Sequence, residues 1–116
     1  MAGSICHVEL PATDLGSISD FYAKSFGWKI TPMGEGYMLW QSADEKSGGG
    51  FSTPQPGVPA AVVVYIEVDD IEASLAGVSA NGGSTIMPKT EIGGDHGFMA
   101  LFHDPAGNSV GLWSKT

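Results

Sequence analysis

Hydrophobic and polar positions along this chain fall into two similar rounds. "HVELPATDLGSISDFYAKSFGW", residues 7–28, begins inside a strand pattern over about 5–10 and changes at Asp14 to a helical period. Asp14 has the side chain of an N-cap, able to accept from the unpaired amides of a first helical turn. Leu15, Ile18, Phe21, Tyr22 and Phe26 predict one apolar helix face, and Gly27 a left-handed stop. "VVVYIEVDDIEASLAGVSANGGST", residues 62–85, repeats the plan. A strand is predicted over about 61–68, with Asp69 and Glu72 as a capping box. Ile71, Leu75 and Val78 form the apolar stripe, and Gly82-Gly83 ends it. Aligning Asp14 with Asp70 also pairs Leu15 with Ile71 and Gly27 with Gly83, the mark of an internal duplication.

Three short strand patterns follow each helix, over about 29–33, 36–42 and 48–53, then 85–89, 97–103 and 109–114. "PQPGVP", residues 54–59, has neither period and reads as a connector. The prediction is an α+β fold of two tandem βαβββ modules, 1–53 and 61–116, joined by a linker at 54–60. Each helix covers one face of its own half-sheet. Pairing the halves edge to edge would give a curved mixed sheet with a ligand cleft on the uncovered side. "HDPAGNSVGLW", residues 103–113, sharpens the picture. Its turn residues separate two strands, and alternation puts Ser109, Gly111 and Trp113 on one face. Gly111 is a question in itself, because a residue without a side chain weakens a strand.

Charge narrows the function classes. The chain carries 13 acidic residues against 5 lysines and no arginine, a formal net charge of −8. Nucleic-acid binding needs a basic surface, so it is excluded from the expectation. Without arginine there is no planar fork for a phosphate or carboxylate, which disfavours strongly anionic ligands. The longest apolar run, 60–66, is too short to span a membrane. No basic, apolar leader opens the sequence, and the lone Cys6 has no internal partner for a disulfide. The expected setting is cytoplasmic. Neither "GEG" nor "SGGGF" precedes a helix with a Lys-Ser or Lys-Thr pair, so neither reads as a phosphate loop.

The segments "HVELPATDLGSISDFYAKSFGW", "YIEVDDIEASLAGVSANGG" and "FMALFHDPAGNSVGLW" span nearly the whole chain. In this order they resemble the vicinal oxygen chelate superfamily: glyoxalase I, bleomycin- and fosfomycin-resistance proteins and extradiol dioxygenases. The D-P-x-G-N turn is the most specific part. The resemblance implies the paired βαβββ fold and, in metal-dependent members, a divalent cation held by His and Glu from four strands. The first ligand position, seven residues before the capping Asp, is His7 here. Its counterpart in the second half is Val63, which cannot ligate. The last position, seven residues after the Asp of the turn, is Gly111. The remaining one falls around "GGGFST", which has no donor side chain. His7 is thus the only family ligand retained, and the implied expectation is no metal cofactor.

Other residues offer chemistry beside these. Glu9 lies on the same strand face as His7, so the two form a candidate acid–base pair. Met99 and Leu101 share a face with His103, while His96 sits in the glycine-rich loop "EIGGDHGF". A rebuilt nickel, zinc, manganese or iron site from His7, Glu9 and a further histidine is the alternative. The expected ligand cleft comprises His7, Glu9, Trp40, Tyr65, His96, Met99, Leu101, Gly111 and Trp113. Each has a plainer reading as core or loop residue, the tryptophans above all. Two functions follow. One is metal-independent binding of a small cationic or aromatic molecule, as in bleomycin-resistance proteins, through acidic and aromatic contacts. The other is a metal-dependent lyase, isomerase or dioxygenase using His7 and substitute ligands. The resemblance also implies a homodimer, swapped or unswapped.

Overall fold

The computed structural model describes residues 3–54, 56 and 60–116. The connector's Gln55 and 57–59 lie outside the described residues, so its predicted course is not part of the description. The chain divides into two compact units, 6–63 and 64–116, the latter joined by residues 3–5. Each has the βαβββ order that the sequence predicts.

In the first unit, β1 (Ile5–Pro11) leads to α1 (Leu15–Phe26) and then β2 (Lys29–Pro32), β3 (Tyr37–Gln41) and β4 (Gly48–Ser52). The order across the sheet is β2-β3-β4-β1, with β1 parallel to β4 and the other pairs antiparallel. Local chemistry sets the helix ends. The Asp14 carboxylate accepts from Ser17 N, and Gly27, at φ 72°, sends its amide to Ala23 O. The inward stripe of α1 is Leu15, Ile18, Ser19, Tyr22 and Ala23. Phe21 and Phe26, expected on that stripe, are 56% and 61% exposed. Phe21 sits a residue off the inward line, and Phe26, in the last turn, meets the rings of Tyr22 and Trp28 at 6.0 and 6.4 Å between centroids, on the outer edge of their packing.

That face is held by rings. Trp28 stacks on Trp40 at 3.8 Å between centroids and on Tyr22 at 4.4 Å, and Phe51 closes the group from β4. Phe51 is fully buried and Trp40 is 6% exposed. Such rings carry much of a small core's apolar burial. The stack needs a flat floor, and Gly49 supplies it. A Cβ there would collide with the Val8 carbonyl oxygen and lie 2.8 Å from the Trp40 ring.

In the second unit, β5 (Val63–Glu67) leads to α2 (Ile71–Ala80), β6 (Ser84–Glu91), β7 (Phe98–His103) and β8 (Ser109–Ser114). The sheet order is β5-β8-β7-β6, with β5 parallel to β8. Ile71 and Leu75 of α2 pack on Ala100, Phe102 and Leu112, flanked by Ile66, Val68, Val78, Phe98 and Val110. Asp70, not Asp69, caps α2, accepting from Ala73 N. This is the register in which Asp70 matches Asp14. Asn81 is the C-cap, and Gly82 follows it at φ 98°. Among the described residues no helix is long and apolar enough to cross a membrane.

The β7–β8 turn is built on Asp104. Its carboxylate accepts from the amides of Ala106 and Asn108 and from the Asn108 side chain, all at 2.9 Å. The bond from the Asn108 side chain, then those from the backbone, hold this carboxyl below the usual carboxylate range. A carboxyl whose folded pKa is depressed stabilises fully above its unfolded pKa and loses that stabilisation as pH falls through the folded one. Asp104→Ala is therefore expected to lower Tm at neutral pH, with the gap to wild type closing in acid; a gap independent of pH would contradict the turn's role. A second prediction contrasts two glycines by urea denaturation. Gly49→Ala is expected to cost at least about 1–3 kcal/mol from forced overpacking. Gly77→Ala, in α2 with open space around the added carbon, is expected to gain about 0.5–1 kcal/mol.

Candidate functional site

Each sheet has one face under its helix and one that the helix does not cover. In the first unit Val8, Leu10, Trp40 and Phe51 lie on the helix side. His7, Glu9, Tyr37, Leu39 and Gly50 alternate to the other. Trp40 is therefore not a ligand-facing residue, contrary to the sequence expectation. It is locked in the ring stack, and its buried Nε1 makes no hydrogen bond among the described residues.

On the uncovered face three side chains converge. His7 Nε2 lies 2.6 Å from Glu9 Oε2, and the Tyr37 hydroxyl lies 3.1 Å from each of these atoms. The His7 and Glu9 side chains are 27% and 17% exposed, so the cluster is reachable from solvent. With Glu9 ionised, its carboxylate only accepts, so the short contact places the hydrogen on His7 Nε2. A nitrogen carrying that hydrogen cannot also accept, and the Tyr37 hydroxyl donates to Glu9 Oε2. Two donors thus meet on one carboxylate oxygen. Glu9 Oε1 accepts no hydrogen bond among the described residues.

Glycine makes room for this arrangement. In β4, Gly50 pairs with Glu9 on one side and Leu39 on the other. A Cβ on Gly50 would collide with the Tyr37 ring and hydroxyl and lie 2.8 Å from Glu9 Oε2. Tyr37 was not singled out from the sequence. "YMLWQ" is apolar through four residues and has no alternation to say which of Tyr37 and Trp40 faces the helix. The signal that was available is the glycine run opposite it.

The second unit repeats the device. Gly111 of β8 pairs with Tyr65 and Leu101, and a Cβ on it would collide with the Tyr65 ring. This answers the question Gly111 posed: a ring lies flat across it. Met99, Leu101 and Trp113 share the uncovered face with Tyr65, opposite the buried Ala100 and Leu112. His96 lies in the 92–97 loop, its ring exposed and its carbonyl accepting from Trp113 Nε1 at 2.8 Å. His103 is exposed at the end of β7.

Among the described residues, the side chains around His7 do not make up the donor set of a divalent cation. Gly50 and Gly111 hold matching places in the last strands of the two units, beside Glu9 and Tyr65, and neither has a donor. Val63 is apolar, and His7 Nε2 is directed at Glu9. Among the described residues no group of three His, Cys, Asp or Glu side chains could hold a metal ion, whereas protein metal sites ordinarily supply three or more ligands.

Known proteins bear on this architecture in three ways. A family model described as "Glyoxalase/Bleomycin resistance protein/Dioxygenase superfamily" matches residues 4–112. "Putative glyoxylase CFP32" of Mycobacterium tuberculosis is 33% identical over 114 residues, covering 91% of this chain and 43% of that protein. "Anthracycline biosynthesis protein DnrV" of Streptomyces peucetius is 30% identical over 131 residues, covering 97% and 47%. The chain thus spans less than half the length of these two relatives. Methylmalonyl-CoA epimerase from Mycobacterium tuberculosis superposes with a TM-score of 0.76 at 14% identity, covering 97% of this chain and 87% of that one, a likeness of fold. With both helices, both strand orders and nearly every residue inside the matched span, this chain belongs to the Glyoxalase/Bleomycin resistance protein/Dioxygenase superfamily.

Proposed function

We propose that this chain binds a small organic cation with an aromatic body, on the uncovered face of its first unit and without a metal ion. The observation that carries the reading is the convergence of His7 Nε2 and the Tyr37 hydroxyl on Glu9 Oε2. His7 and Tyr37 both spend their donors on Oε2, which fixes the carboxylate and leaves Oε1 as an acceptor. An acceptor of this kind selects a ligand N–H, and a charged partner strengthens the bond. The whole chain leans the same way, with a formal charge of −8 and no arginine to favour an anion. The name of the relative DnrV refers to anthracycline biosynthesis, and anthracyclines are fused-ring compounds.

The reading as a metal-dependent lyase, isomerase or dioxygenase loses support from the same geometry. His7 faces Glu9, and no third His, Cys, Asp or Glu side chain joins them in a metal-holding group among the described residues.

Calorimetric titration with a planar cationic acridine dye tests the proposal. Saturable binding is expected, weakened at least about tenfold in Glu9→Gln, the range for losing a hydrogen bond to a charged group. A negatively charged dye of similar shape is expected to give no heat. No binding of the cationic dye at millimolar concentration, or equal binding of both dyes, would overturn it.

A further inference from the structure

The 92–97 loop between β6 and β7 is held in an unusual way. Gly93, Gly94, Asp95 and Gly97 all have positive φ, at 93°, 59°, 61° and 88°. Such a path is strained for an ordinary residue such as Asp95 and easy for glycine. Within the loop, Ile92 N–H donates to Gly97 O at 3.0 Å and His96 N–H to Gly93 O at 3.1 Å. Gly94, Asp95 and His96 are exposed, and Ile92 is 44% exposed, so apolar burial contributes little to the loop's position.

Among the described residues, one side-chain hydrogen bond reaches it from outside the loop. Trp113, on the uncovered face of β8, donates its indole N–H to the carbonyl of His96 at 2.8 Å. The backbone passes directly against that ring. A Cβ on Gly97 would lie 2.9 Å from Trp113 Nε1 and 2.6 Å from the Ser114 carbonyl oxygen. The indole and the loop are thus fitted to each other at one point, and that point is solvent-exposed.

We propose that the 92–97 loop is a strap over the Trp113 end of the second unit's uncovered face, latched by the indole–carbonyl hydrogen bond. Latched, the loop fixes the indole in one orientation. Released, it frees both the indole face and the loop, and the glycines give the backbone conformational freedom. A single exposed hydrogen bond is easily broken, so both states are accessible. The inference stands apart from the ligand proposed above.

Amide hydrogen exchange followed by NMR on the whole chain tests it. Trp113→Phe keeps a ring and removes the donor. Exchange at the Ile92 and His96 amides is expected to accelerate about threefold to tenfold, the range for one net hydrogen bond. Amides of Ala100 and Phe102 in β7 should keep their wild-type rates. Gly97→Ala is the second variant, because it displaces the loop while keeping Trp113, and the same local acceleration is expected. Unchanged rates at Ile92 and His96, or an equal acceleration throughout β7, would overturn the latch.

Discussion

An aromatic ring laid flat across a glycine is the contact on which both units depend. In β4, Gly49 lies under Trp40 on the helix side, and its neighbour Gly50 lies under Tyr37 on the other. Two successive glycines thus let one strand take a ring on each face. Gly111 does the same for Tyr65 in β8. Glycine weakens a strand through backbone entropy and through the packing it cannot make. Here the neighbouring ring occupies the missing side chain's space, so the strand stays densely packed. The cost of each glycine is offset by aromatic burial, and the strand cannot accept even alanine without moving a ring or a carbonyl.

This constraint also shapes the uncovered face. Where the family's metal-dependent members place donors, the two last strands present backbone, and tyrosine rings lie over it. Tyr37 brings its hydroxyl to Glu9 Oε2 only because Gly50 leaves the path clear. The outcome is a compact set of three hydrogen-bonding side chains with one carboxylate oxygen still able to accept. On the proposed reading, such a set binds through direction and charge. Coordination would require converging lone pairs, and His7 turns its Nε2 toward Glu9.

Much of the fold was legible because its signals are local. Asp14 and Gly27 bound α1 as their side chain and backbone freedom dictate, and β8 runs over 109–114 as its alternation predicts. The capping residue of α2 was misassigned because Asp69 and Asp70 are consecutive and either can accept from the first turn. The inward face of α1 was only partly legible, since Phe21 is apolar yet exposed, and small Ser19 takes the buried position. The pairing of His7 with Glu9 followed from strand alternation. Tyr37 and Trp40 did not, because in an uninterrupted apolar strand a shift of one residue exchanges the faces. Which ring goes inward is settled by tertiary packing, with Trp28 and Phe51 drawing Trp40 into their stack.

The central claim is that His7, Glu9 and Tyr37 form a hydrogen-bonded cluster in place of a metal centre. Metal stoichiometry tests it most directly. The protein would be equilibrated with nickel, zinc, manganese or iron(II), freed of loosely held ions and assayed by elemental analysis beside His7→Ala. The account predicts well under one equivalent for every ion, with no difference between wild type and variant. One tightly held equivalent that disappears in His7→Ala would contradict it.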